Sequence, residues 1–187
     1  MKETSKLNAY RLSKGYENFF KGDGVDIGCG DDALSNIVFP SISSVKPYDL
    51  KDGDAQICAS LSDNSFDFVY SSHCLEHLIS PREGLSNWIR ICKPQGHIIF
   101  AIPHEIYYEK GLWPSRCNGD HKWSFRMEPS TLLPKSINVY DLLTSFSDQI
   151  SVISVDLLLH NFDFTKFYRD QTLGNGVCQI EVVIQKK

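Results

Sequence analysis

Apolar residues gather in four short runs over the first hundred positions. "GVDIG" (24–28) is a short run that ends in glycine, and "SVKPYDL" (44–50) is a weaker one that stops at an acidic residue. "FDFVYSS" (66–72) follows the turn signal Asp63-Asn64-Ser65. "GHIIFAIP" (96–103) is continuously apolar, as a strand covered on both faces should be. Between the last two runs the period changes. Ser80 is placed to cap a helix, Pro81 suits its first turn, and Glu83 completes an S-x-x-E capping box. Leu85, Trp88, Ile89 and Cys92 then recur at helical spacing as one apolar stripe, until Lys93-Pro94-Gln95-Gly96 ends the segment. Strand, helix and strand in this order predict a right-handed crossover within a parallel sheet.

The last third reads differently. A helix is predicted over Ile137–Phe146. After it, "ISVISVDLLLH" (150–160) and "VCQIEVVIQK" (177–186) both alternate apolar and polar positions. A long polar-aromatic segment joins them, which suggests two strands paired antiparallel at the sheet edge. No internal repeat or linker divides the chain, so residues 1–187 are expected to form a single α/β domain, with 1–22 as an N-terminal helical cover.

Composition narrows the function classes. A formal net charge of −4 offers no whole-molecule attraction to nucleic acid or anionic lipid. No apolar run approaches the roughly 20 residues that span a bilayer, and the first twenty residues lack the apolar core of a signal peptide. The six cysteines (29, 58, 74, 92, 117 and 178) form no C-x-x-C pair and read as reduced thiols, so a cytoplasmic setting is expected.

The densest chemical signal is "VDIGCGDDA" (25–33). A glycine pair after a strand, opening a helix, lets a ligand approach the backbone, although such turns also take glycine for steric reasons. Asp49 lies 23 residues beyond Asp26, at the end of the next strand, where a carboxylate can accept both ribose hydroxyls of an adenosine. Ala33 fills the third position of a dinucleotide fingerprint, yet Asp26 sits two residues before the first glycine and would repel a pyrophosphate. It suits a ligand with an ammonium group and a sulfonium, which favours S-adenosylmethionine over NAD.

With these motifs in order, the sequence resembles a class I S-adenosylmethionine-dependent methyltransferase, of the small bacterial type grouped with the ubiquinone and sugar methyltransferases. "VDIGCGDDA" resembles the first cofactor motif and "YDL" the ribose-binding strand end; "DNSFDFVYSSHCLEHL" and "RICKPQGHIIFAIP" resemble the fourth and fifth strands. The resemblance implies a three-layer Rossmann-like sandwich: a mostly parallel seven-stranded sheet with an antiparallel C-terminal edge hairpin. It implies that Gly28 and Gly30 pass under the cofactor with Asp26 near its amino-acid end. Asp49 and Leu50 would hold the ribose side, Asp54, Ala55 and Gln56 would cover the adenine, and Ser71 and His73 would lie near the methyl-transfer centre. Residues 105–130, including "LWPSRCNGDHKWSF" (112–125), would form a loop on the substrate side. Three departures stand out: Gln95 where a second glycine is common, no third glycine in "GDDA", and a short N-terminal region to cover the site.

The histidines carry the remaining chemistry, with His73, Glu76, His77, His104 and His121 as candidates. "SSHCLEHL" (71–78) contains H-x-x-E-H, the order of one class of zinc peptidases. A new helix at Ser80-Pro81 leaves the motif too short a helix for that use. Some methyltransferases carry E-x-x-E-H at this place and bind a divalent ion, which makes His73, Glu76, His77 and His121 the candidate ligands. The expectation adopted is metal-free: His73 first and His121 second as base or acceptor partner, with Glu76 and His77 bracing neighbouring loops. The implied reaction is methyl transfer to an oxygen, nitrogen or carbon of a small-molecule or glycan-like acceptor. Its rivals are a non-catalytic adenosylmethionine-binding module, a metal-dependent RNA 2′-O-methyltransferase and a nicotinamide oxidoreductase.

Overall fold

The computed structural model describes residues 2–187. Two short helices, α1 (Glu3–Lys6) and α2 (Asn8–Ser13), lead into strand β1 (Gly22–Ile27). Then come β2 (Ile42–Tyr48), β3 (Phe66–Ser72), helix α3 (Pro81–Ile91), β4 (Cys92–Pro103), β5 (Ser124–Arg126) and β6 (Ser136–Asn138). Helix α4 (Val139–Thr144) and strands β7 (Ile150–Leu158) and β8 (Gln179–Lys186) complete the chain. The four apolar runs are β1 to β4, and they pair in parallel in the order β2-β1-β3-β4. Strand β8 then lies antiparallel to β4, and β7 antiparallel to β8 at the edge.

The sheet has six strands, not the seven expected. The remaining candidates, β5 and β6, are three residues each and pair only with one another. A second departure is the glycine loop, which opens no helix. Residues 28–41 run as turns, because acidic and Ser-Asn positions flank only a few apolar residues before Pro40, too few to nucleate a helix. The C-terminal helix is also shorter than expected. Asn138 ends β6 and caps α4, its side chain accepting from the Tyr140 and Asp141 amides.

Alternation along the central strands builds cores on both faces of the sheet. Ile98, Phe100 and Ile102 of β4 pack with Val25, Ile27 and Val69 against Leu85, Trp88 and Ile89 of α3, the predicted stripe. Ile99, Phe68 and Tyr70 face the other way and meet Tyr16, Phe20, Leu34 and Phe39. Strand β8 belongs to the interior and is covered on both sides.

The N-terminal segment is fastened to that interior strand. Arg11, fully buried, makes a two-pronged ion pair with Glu181 of β8, Nη2 to Oε2 at 2.6 Å and Nε to Oε1 at 3.2 Å. Its third nitrogen donates to the Thr4 carbonyl, and its plane lies over the Tyr70 ring. Burial pulls the Arg11 guanidinium down, and the Glu181 carboxylate reverses that and raises it.

Candidate functional site

Strands β1, β2, β3 and β4 are parallel, so their carboxyl ends and following loops share one edge, where open α/β sheets bind ligands. A cavity of about 690 Å³ opens there, lined by Gly28, Asp49, Gly53, Asp54, Cys74 and Leu78 among others. The chain turns sharply at Gly28, whose φ is +71°; a Cβ there would come within 2.6 Å of Cys74. At Gly30 a Cβ would meet nothing within 4 Å, so that stretch of backbone is open.

Asp49 holds this loop in place. One oxygen accepts from the Gly30 amide at 2.6 Å and the other from the Leu50 amide at 2.7 Å. Leu50 and Ile79 are apolar yet stand exposed on the cavity rim, at 91% and 76%. Asp54 accepts from the Gln56 amide, and the Ala55 carbonyl accepts from the Trp88 indole. The Gln56 side chain is committed elsewhere. Its oxygen accepts from the Ser80 amide at 2.8 Å, while its nitrogen donates to Glu83 at 2.6 Å. The predicted capping box forms only in half: Ser80 accepts from the Glu83 amide, and Gln56 supplies the return arm.

Asp26 and Ser71 lie beneath the cavity, not on its wall. Ser71 donates to the Ile27 carbonyl and ties β3 to β1. Asp26 accepts from the Leu34 amide at 2.7 Å, and its second oxygen is buried with no hydrogen-bond donor among the described residues. Burial pushes its carboxyl up to about 7, against the Leu34 amide and Arg11, which pull it down; Asp32 and Asp49 add to the rise.

A second, more enclosed cavity of about 290 Å³ adjoins the first, and Gly28, His73 and His77 line both. Glu3 and Thr4 of α1 close one side; Ser72, Glu76, Tyr108, Asn118 and His121 form others. The H-x-x-E-H residues do not share an α-helical face. His73 has a φ of +53° and precedes a single 3-10 turn, Leu75–His77, so the peptidase geometry is absent.

The turn instead drives Glu76 inward, where it is fully buried and ringed by imidazoles. From its Oε1, His73 Nδ1 lies 3.4 Å away, His121 Nε2 3.8 Å and His77 Nε2 4.0 Å. Burial pushes the Glu76 carboxyl up, and His73, His121 and His77 outweigh it, leaving the group below the usual carboxylate value. Burial likewise pulls His73 down, and Glu76 more than reverses this.

Each of these imidazoles has its other nitrogen occupied. His73 Nε2 meets Gln179 Oε1 at 3.0 Å, and Gln179 is itself held by Glu181. His121 Nδ1 meets Glu109 Oε1 at 2.6 Å, and His77 Nδ1 meets Asp120 Oδ2 at 3.2 Å. The His121 ring also stacks on Tyr108. His104, the remaining candidate, lines neither cavity; burial lowers its pKa and its side chain accepts from the Ile106 amide.

The reading from residues alone missed Glu109, Asp120 and Gln179. For Glu109 and Asp120 the sequence holds no signal. For Gln179 one exists: Gln179 and Glu181 are the two polar positions in the fully buried part of β8, whose other residues there are apolar.

A methyltransferase-domain family model matches residues 5–137. No curated protein sequence matches the chain. Among solved structures, a Listeria monocytogenes protein assigned as an S-adenosylmethionine-dependent methyltransferase superposes with a TM-score of 0.64 at 14% identity, over 98% of each chain. An S-adenosylmethionine-dependent methyltransferase from Clostridium acetobutylicum gives 0.62 at 13% identity, over 97% of this chain and 91% of that one. An N-methyltransferase from Bradyrhizobium japonicum, solved with S-adenosyl-L-homocysteine, gives 0.59 at 11% identity, over 97% and 86%. At these identities the likeness is one of fold.

Proposed function

Since the chain belongs to the methyltransferase-domain family, the class I S-adenosylmethionine-dependent enzymes, we propose that it methylates a small-molecule or glycan-like acceptor held in the smaller cavity. The observation that carries this reading is the junction of the two cavities at Gly28, His73 and His77.

The larger cavity suits the donor. Its volume lies in the range of small-ligand sites, Gly28 brings bare backbone to its wall, and a half-exposed carboxylate stands at the end of β2. Asp49 is assigned to the ribose hydroxyls, Leu50, Asp54, Ala55 and the Gln56 backbone to the adenine side, and Gly28 and Gly30 to the amino-acid end. Asp26 and Ser71 brace the strand ends from below. S-adenosylmethionine supplies a methyl group on a positively charged sulfur, so alignment of the nucleophile matters more than activation of the donor. His73 stands where the cavities meet, and His121 lines the acceptor side; both are assigned to placing the acceptor atom. A net charge of −4 argues against a nucleic-acid acceptor, and a cytoplasmic setting is proposed with it. Among the described residues, no helix is long and apolar enough to cross a membrane.

A thermal-shift panel tests the donor: S-adenosylhomocysteine should raise the melting temperature, and NADH should leave it unchanged. A shift with NADH alone would overturn the reading. For the acceptor side, His73→Ala should keep S-adenosylhomocysteine binding and lose methyl transfer.

A further inference from the structure

We infer that Glu76, His77 and His121 form a divalent transition-metal site in the wall of the smaller cavity. Its open coordination position faces the acceptor and selects acceptors with an oxygen donor. The role toward the acceptor rests on the methyl-transfer reading; the metal site does not.

The separations make the first argument. Glu76 Oε1 stands 3.8 Å from His121 Nε2 and 4.0 Å from His77 Nε2, too far for hydrogen bonds. Two atoms that each sit about 2.1 Å from a shared zinc-like ion are separated by roughly 3.0–4.2 Å, depending on the angle between them. One donor atom from each of the three residues lies within 4.8 Å of the others, so a small side-chain rotation closes the set. Imidazolium rings without a metal would close onto the buried carboxylate; these stand off from it.

Proton placement makes the second. The Glu109 carboxylate occupies Nδ1 of His121, and Asp120 occupies Nδ1 of His77, its backbone carbonyl at 3.3 Å and its exposed carboxylate at 3.2 Å. A proton on each Nδ1 leaves each Nε2 with a lone pair, and both lone pairs point at Glu76. Glu76 is fully buried, and neither of its oxygens makes a well-formed hydrogen bond among the described residues; His73 Nδ1 approaches only to 3.4 Å. Three electron-pair donors then converge on one buried space, and a cation among them would relieve their repulsion beyond what His73 at its edge supplies. A carboxylate on the far nitrogen of a ligating histidine is the usual outer support of such a centre, and Glu109, almost wholly buried, is built for it. His73 Nδ1, although 3.4 Å from the same oxygen, lies outside the set.

Ligand chemistry gives the identity class. Two nitrogens and one carboxylate suit zinc or a neighbouring transition metal better than magnesium. Three protein ligands leave a position for an exogenous oxygen, and the cavity lined by Tyr108 and Asn118 is where that oxygen would enter.

The test uses chelator-stripped protein titrated with Co²⁺ and Zn²⁺ alone, followed by calorimetry and by the visible absorption of bound cobalt. One equivalent should bind, with d–d bands of a nitrogen-oxygen site. Glu109→Gln, which touches no metal, should weaken binding by roughly 10–100-fold. His77→Ala, at the partly open side of the cluster, should remove the bands while its thermal unfolding stays cooperative, which shows that the protein is folded. The proposal is overturned if wild type binds neither ion stoichiometrically, or if His77→Ala and Glu109→Gln bind as tightly as wild type. S-adenosylhomocysteine binding to the metal-free protein reports on the donor site separately.

Discussion

The two cavities that meet at Gly28 are built by opposite means. The larger one presents backbone: the turn at Gly28, the Leu50 amide held by Asp49, and a loop at residues 53–56 whose Gln56 side chain is committed to Ser80 and Glu83. The smaller one presents side chains, three imidazoles around a buried carboxylate, each held from behind by a further acceptor. A backbone site needs only a local turn and one carboxylate to hold it. A side-chain site of this kind draws on α1, the loop after β3, the loop after β4 and strand β8 together. The first tolerates loss of a neighbour; the second fails as a unit.

The largest test of that contrast is Arg11→Met. It leaves Glu181 charged, buried and unpaired, and should cost about 3–5 kcal/mol of stability in a urea unfolding curve. Because Glu181 holds Gln179 and Gln179 holds His73, the damage should fall on the histidine cavity. In conditions where the variant stays folded, affinity for S-adenosylhomocysteine should change little. Equal loss in both cavities would break the contrast.

The reverse experiment is Asp49→Ala. Two amides lose a charged acceptor, and the proposed ribose contact goes with them. Calorimetry should show S-adenosylhomocysteine binding weakened about 100-fold, near 3 kcal/mol, with folding stability almost unchanged.

Smallest is a pH effect beneath the boundary between the cavities. The Asp26 carboxyl is raised to about 7 in the folded chain, so its contribution to stability is full below the unfolded value and is lost as pH rises through about 7. Between pH 5 and 8 that amounts to roughly 2–3 kcal/mol. Asp26→Asn keeps an acceptor for the Leu34 amide and should flatten this part of the melting profile. Subtracting the two profiles isolates Asp26 from His73, whose pKa is also raised. Parallel profiles would sink the assignment.

The same division explains what the chain's letters revealed. Strands β1 to β4 and helix α3 follow from runs of apolar residues and one cap, because each is decided within a dozen positions. The antiparallel pair β7 and β8 was legible from alternation, but not that β8 would lie inside the sheet. The seventh strand came from the resemblance and the helix after the glycine loop from taking the glycine pair as a strand-to-helix turn, and the residues that follow support neither. In the site, Gly28 and Asp49 are readable because their chemistry is their spacing. Glu76 looked like a loop brace, since its burial depends on His121 and Glu109, more than thirty positions away. The H-x-x-E-H letters pointed to the right residues through the wrong geometry: a 3-10 turn gathers part of that motif around residues the motif does not contain.

The Gln56 side chain, described above as half of a helix cap, also settles when the larger cavity takes shape. Its loop cannot swing away without stripping the Ser80 amide of its acceptor and Glu83 of its partner. The entropy of ordering that wall is therefore spent during folding, before any ligand arrives, and an incoming ligand meets a wall already in place.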